Sequence, residues 1–275
     1  MKKLNGTHRK PINRSKIRLF LGKYYYISKR FFLWIFGNIK FAKQNKKTCL
    51  QHEHFRHQTP LLRKLKDVDM RLQYNKIVNL KLAIQRLNQA IIYPGETFSF
   101  WKLVGRTSKR KGYLEGMVIF NGSFGPGIGG GLCQLSNLIY WMTIHTPLTV
   151  IERHRHDFDV FPDSGRTQPF GSGATCSYNY LDLMIRNNTS QPFQLTLEVT
   201  ETDLIGYWKS DRPPACRYQV YEKDHRIDSE YWGGYSRHNT LFRKIYDWDN
   251  NLICDEYITE NHAILMYQPF LESHA

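Results

Sequence analysis

Apolar residues recur at Ile77, Leu80, Ile84, Leu87 and Ile91, in steps of three, four, three and four. That period predicts one apolar face on a helix from Arg71 to Ile91, which Pro94-Gly95 stops in a turn. A second stripe is formed by Leu135, Leu138, Ile139 and Met142. It predicts a helix from about Leu132 or Cys133 to about His145, with Pro147 beyond its end. Elsewhere the pattern is β-like. Thr97 to Val104 is aromatic, and Met117 to Phe120 is a short apolar run closed by Asn121-Gly122. Leu148 to Val160, Phe193 to Thr200 and Leu204 to Trp208 also read as strands, and Ala174 to Arg186 alternates up to the Asn187-Asn188 turn. After Pro213-Pro214 two hairpins are expected. One turns at Lys223-Asp224 and the other at Asp249-Asn250-Asn251. Helices first and strands later predict an α+β fold, with helices packed on a mostly antiparallel sheet and a β-rich C-terminal extension. The expected division is a tail and linker over 1–57, an α+β domain over 58–210 and a hairpin-rich extension over 211–275.

Composition changes the picture at one end. The 275 residues include 41% apolar side chains, enough for a real core, which excludes a disordered chain. The formal charge is +15, yet residues 1–50 hold 14 Lys and Arg with no acid, and the rest is close to neutral. A basic tail with Tyr24-Tyr25-Tyr26 and Phe31 to Phe36 suits an anionic membrane surface. The neutral body argues against a nucleic-acid partner. The longest apolar run is far short of the roughly 20 residues of a spanning helix, and no signal-peptide cleavage pattern follows it. A cytoplasmic body at the inner face of the membrane is the expectation. The five cysteines are odd in number and form no C-x-x-C, so reduced thiols fit better than a disulfide framework.

The candidate chemistry lies in Gly129-Gly130-Gly131-Leu132-Cys133-Gln134-Leu135-Ser136. The glycines allow close backbone approach, and a cysteine beginning a helix meets free N–H groups that favour a thiolate. Cys133 is the candidate nucleophile, with the Gly131 or Gln134 N–H as candidate oxyanion donors. In Glu152-Arg153-His154-Arg155-His156 a strand would turn Glu152, His154 and His156 to one face. His156 or His154 is the candidate base, and Asp182 on a later strand the candidate orienter. Cys on a helix, His on a strand, then an acid is an order that papain-like and transglutaminase-like enzymes share. Gly129, Gly130, Gly131, Gln134, Ser136, Glu152 and Arg153 are the candidate binding residues. Glu152, His154 and His156 could instead chelate a metal with Cys133 or Cys176, but no spacing supplies a further ligand, so neither metal nor cofactor is expected. Gly125-Pro126-Gly127-Ile128-Gly129-Gly130 fits a dinucleotide fingerprint on paper but lacks the surrounding βαβ unit and the acid downstream.

Four separated blocks together carry a resemblance. They are Pro94 to Phe100, Gly129 to Ser136, Glu152 to His156 and Asp182 to Thr189. In sequence and order they resemble the VanW family, over about 60–200. The resemblance implies a bacterial cell-envelope protein accessory to glycopeptide resistance, with a peptidoglycan precursor or another protein of the resistance operon as partner. It supplies no reaction. A cysteine-dependent hydrolase or acyl transferase is one expectation. A non-catalytic module that binds wall precursors, or a membrane-tethered interaction protein, is the other.

Overall fold

The computed structural model describes residues 15–45, 47–62, 69–120, 122–160 and 168–269. Helix α1 (Lys16–Phe36) starts at Ser15, whose hydroxyl accepts from the Arg18 N–H at 3.3 Å. It lies where the sequence suggested a tail. The short strand β1 (Lys43–Gln44) and the long β2 (His52–Pro60) follow, so residues expected as linker are paired in a sheet. Helix α2 (Met70–Leu87) is capped by Asp69, whose carboxylate accepts from the Arg71 N–H at 2.8 Å. The apolar repeat runs on to Ile91, but the helix does not. Gln89 turns into the left-handed region (φ 63°), and Ala90–Ile92 leave as β3. Ile91 is buried all the same, although it is Ala90 and Ile92 on either side of it that join the core of α2.

Only the first third of the aromatic stretch is a strand, β4 (Thr97–Ser99). The Ser99 hydroxyl accepts from the Lys102 N–H at 3.2 Å and starts a short helix, α3 (Phe100–Val104). The strands β5 (Glu115–Phe120) and β6 (Ser123–Ile128) make the glycine-rich hairpin. It leads into α4 (Cys133–Thr143), close to the expected span. Then come β7 (Thr149–Glu152), β8 (Phe158–Asp159), β9 (Met184–Arg186), β10 (Phe193–Val199) and β11 (Asp203–Ser210). Three long strands close the chain, β12 (Arg217–Glu230), β13 (Gly234–Tyr246) and β14 (Leu252–Leu265).

The architecture is mixed α/β with mostly antiparallel sheets. A five-stranded sheet has the order β1-β3-β10-β11-β2, and a three-stranded sheet the order β4-β9-β7. The C-terminal sheet is β12-β13-β14-β8, with β8 parallel to β14. Helix α4 crosses β11 at Gly206, where any Cβ would stand 2.7 Å from Met142 Cε. A side chain there would force the ends of the Met142 and Leu138 side chains to give way. Around that contact Leu135, Leu138, Ile139, Leu195, Leu197 and Trp208 form the buried core.

Two expected strands are shorter than the pattern suggested, and the first, Leu148 to Val160, is broken into β7 and β8. Ala174–Arg186 is extended as strand only over Met184–Arg186, while Thr175 and Ser177 form single bridges with His154 and Leu181. Lys223-Asp224 is no hairpin turn. The register of β12 against β13 shifts between Lys223 and Arg226, and Asp224 (φ 54°) absorbs the extra residues as a bulge. The turn comes later, before Gly234, with Gly233 at φ 87°. The Asp249–Asn251 hairpin is where the sequence put it, with Asn250 at φ 67°.

Candidate functional site

The glycine block is built for close packing. Gly131 sits at φ 89°, and a Cβ on it would fall 2.2 Å from the Lys76 side chain of α2. Gly130 and Gly116 press backbone to backbone, each leaving no space for a Cβ beside the other's carbonyl. Asn79 of α2 clamps the turn by donating to the Gly130 carbonyl at 2.9 Å and to the Leu114 carbonyl at 3.0 Å. Gly129, Gly130 and Gly131 therefore aim α4 and deliver Cys133 to its first position. Of the two expected oxyanion donors, the Gln134 N–H is engaged by the Gly131 carbonyl at 3.1 Å. The Gln134 side chain donates to Thr59 Oγ1 (3.0 Å) and the Pro60 carbonyl (2.8 Å), tying α4 to the end of β2.

Cys133 Sγ lies 3.9 Å from Cys176 Sγ and 3.8 Å from the Cys176 carbonyl. Both are free thiols, half-buried. The segment carrying Cys176 is held against α4 from two sides. Ser136 Oγ donates to the Ala174 carbonyl at 2.6 Å, and Asn137 Oδ1 accepts from the Ala174 N–H at 2.7 Å. A hydrogen bond from Cys176 holds the Cys133 thiol well below its ordinary value; burial opposes this, and His156 beside it adds to the lowering. Cys176 moves the other way, well above the ordinary thiol range, because its bond to Cys133 and its burial both keep the proton on. The two thiols are thus driven in opposite directions by one contact, Cys133 toward losing its proton and Cys176 toward keeping it.

The two histidines part company. His156, in the loop after β7, is the one that acts on Cys133. His154 Nε2 is 2.9 Å from Glu152 Oε1, and that carboxylate also takes the Arg30 guanidinium of α1. Burial pushes the Glu152 carboxyl up, but the bonds from His154 and Arg30 outweigh it and hold it below the ordinary range. Arg30 reaches further, to Met184 Sδ at 3.1 Å and the Tyr180 carbonyl at 3.4 Å. Neither histidine lies in a strand, since β7 ends at Glu152. The Asp182 carboxylate bonds to neither. It is wholly buried and accepts from Ser99 Oγ (2.5 Å) and from the N–H groups of Trp101 (3.0 Å) and Leu183 (2.9 Å). Burial pushes its carboxyl up to about 6 despite the Ser99 and Trp101 bonds. Its visible work is to cap α3. Arg153 spans from β7 to the C-terminal sheet, donating to the carbonyls of Gly171 and Gly173, to Thr259 Oγ1 and to Asn261 Oδ1.

Sequence reasoning missed two participants. Arg30 was hidden in the presumed tail, and Cys176 was considered only as a metal donor. Nothing in local spacing ties Cys176 to Cys133 across 43 positions. The buried carboxylate Asp182, the charged trio and the thiol pair do not merge into one metal centre. Among the described residues no three His, Cys, Asp or Glu side chains are placed to hold an ion.

Comparison with known proteins accounts for this segment. The model of the VanW like protein family matches residues 75–208, which include most of α2, the glycine turn, Cys133, Cys176 and Asp182. Residues 75–208 are VanW-like in sequence. The vancomycin B-type resistance protein VanW of Enterococcus faecalis is 41% identical over 152 residues, 55% of this chain and 55% of that protein. YoaR of Bacillus subtilis is 31% identical over 114 residues, 42% of this chain and 36% of that protein. The chain thus spans about half or less of the length of these relatives. No solved structure matches it. The VanW-like segment ends at Trp208, so β12, β13 and β14 lie beyond it.

Proposed function

We propose that Cys133 and His156 are nucleophile and base of a cysteine-dependent hydrolase or acyl transferase that acts on a peptidoglycan-type precursor, in a protein accessory to glycopeptide resistance. The supporting observation is the site itself, a thiol at the start of α4 pulled toward thiolate by Cys176 and His156. The substrate class rests on the name of the Enterococcus faecalis relative, a vancomycin resistance protein. In this reading the Cys133 thiolate adds to a peptide carbonyl, and the leaving amine departs with a proton from His156. Water or an acceptor amine then opens the thioester. Asp182 acts at one remove, by fixing α3 and the 181–183 backbone.

The proposal includes a partner surface. Helix α1 leaves Ile17, Phe20, Leu21, Tyr25, Phe32, Ile35 and Phe36 more than half exposed. It exposes Lys16, Arg18, Lys23 and Lys29 and no acid, while its fifth cation, Arg30, is buried against Glu152. No helix among the described residues is long and apolar enough to cross a membrane. An aromatic helix of this charge suits the interface of an anionic bilayer, lying in its plane. Phosphatidylglycerol vesicles should co-sediment the protein, neutral phosphatidylcholine vesicles should not, and Ile17→Ser with Phe20→Ser should weaken binding. Equal sedimentation with both lipids would refute the charge argument.

The decisive test is pH-dependent alkylation of the five thiols with site assignment by mass spectrometry. Cys133 should react at a pH well below the ordinary thiol midpoint of about 8.5, and His156→Ala should move its midpoint up. His154→Ala should leave it near the wild-type position. A Cys133 that reacts only after unfolding would remove the enzyme reading and leave the VanW-like segment as a binding module.

A further inference from the structure

The placement of Cys176 points to a second chemistry in the same site. We infer that Cys133 and Cys176 form a redox-active dithiol, oxidised to a reversible intramolecular disulfide by the disulfide of a low-molecular-weight thiol. This deepens the proposed function and rests on its thiolate at Cys133. The geometry is the argument. The two sulfurs are 3.9 Å apart, and a bond needs them at about 2 Å, a gap that side-chain rotation can close. The Ser136 and Asn137 bonds to Ala174 keep the Cys176 segment on α4 throughout. Both residues are only half-buried, and their open side is the approach a small disulfide would use. The other three cysteines, Cys49, Cys216 and Cys254, have no sulfur partner among the described residues.

The sorting of the pair suits the order of steps. The Cys133 thiolate attacks one sulfur of the small disulfide, the S–S bond breaks, and one small thiolate leaves. Cys133 is then in mixed disulfide. Its negative charge is gone, and with it the contact that kept Cys176 protonated. Cys176 gives up its proton to the released thiolate and attacks the Cys133 sulfur. The second small thiolate leaves and takes the remaining proton. In sum, two protein thiols lose two electrons and two protons, and one small disulfide becomes two small thiols. In the disulfide form Cys133 has no nucleophilic sulfur, so oxidation shuts off the proposed acyl chemistry and reduction restores it.

The test treats the full-length protein with oxidised glutathione as the probe, blocks remaining thiols, digests without reductant and maps linked peptides by mass spectrometry. A Cys133–Cys176 linked peptide, lost on dithiothreitol treatment, is the expected result. Alkylation of Cys133 should then fall at least tenfold while Cys49 stays reactive. In Cys176→Ser the mixed disulfide on Cys133 should persist, because nothing resolves it. If oxidation yields mixed disulfides on Cys133 in wild type and no linked peptide, the dithiol is refuted and the nucleophile stands. If Cys133 takes up neither glutathione nor alkylating agent in the folded protein, both readings fall together. A linked peptide that forms equally in denatured protein would also overturn the inference, because the folded pair would then have no advantage.

Discussion

On the five-stranded sheet, β10 and β11 bury Phe193, Leu195, Leu197, Leu204 and Trp208 against α4 and α2. On the C-terminal sheet, β13 buries Ser236, Arg237, His238, Asn239 and Thr240 in an unbroken row. The first layer is held by apolar contact, which is indifferent to direction. The second is held by partners. Asn239 Nδ2 donates to the Phe170 carbonyl and to Glu222 Oε2, both at 2.7 Å, and Asn239 Oδ1 accepts from Asn261 at 2.9 Å. Asn261 in turn receives Arg153 at 3.0 Å. The difference shows where each sheet is vulnerable. The apolar layer fails by cavities. The polar layer fails by one missing partner, which strands several others. It also shows how the β12–β14 sheet is joined to the VanW-like segment, through the guanidinium of Arg153 next to the His154 and His156 loop.

The contrast can be broken most forcefully at Trp208. Its indole packs edge-on to Phe98 and donates to Thr143 Oγ1 at 3.1 Å. Trp208→Ala should cost about 3–5 kcal/mol in urea unfolding, and a loss under 1 kcal/mol would show that the apolar layer does not carry the fold.

Next in size are two opposed pH effects, both in the body. Asp182 rises from 3.8 to about 6 on folding. Between about pH 4 and 6 the native state keeps a proton that the unfolded chain has released, so stability falls as pH rises, by about 3 kcal/mol in all. His145, stacked on Phe55 at 4.1 Å, drops from 6.5 to about 4 because burial disfavours its cation. There the unfolded chain holds the extra proton, so stability climbs from about pH 4 to 6.5 by about 3 kcal/mol. The two nearly cancel in the wild type. Asp182→Asn should uncover the rising arm in thermal melts, and His145→Phe the falling one. Parallel curves for all three proteins would contradict both burial arguments.

Asn239→Ala should cost about 1–3 kcal/mol, and the doubly apolar change Asn239→Leu with Asn261→Leu less than the sum of its parts. Strict additivity would mean that the polar row is a set of separate bonds. Smallest is Gln134→Ala, which removes two bonds from α4 to the end of β2. About 1 kcal/mol should be lost, with Cys133 alkylation unchanged. A large drop in thiol reactivity would instead place Gln134 in the chemistry.

The two helices with one apolar face, α2 and α4, were legible from spacing, and so were β5, β10, β11 and the Asn250 hairpin. Each records its own burial in its own period. Cys133 was legible for a related reason, since only glycines could bring the chain past Lys76 and Gly116 into a helix start. The rest was not local. The end of α2 was set by the pairing of β3 with β10, while the apolar rhythm continued unbroken through Ile91. The bulge at Asp224 was decided by the twelve paired positions of β12 on β13, which outweigh one turn-like dipeptide. His156 over His154 depended on which ring Glu152 had already taken, and Glu152 depended on Arg30 from a distant helix. The sequence by itself determined the periodic elements and the thiol at a helix start, because those follow from neighbours along the chain. Only the tertiary structure decided the partner of that thiol, because a contact across 43 residues leaves no trace in spacing until the sheets are paired.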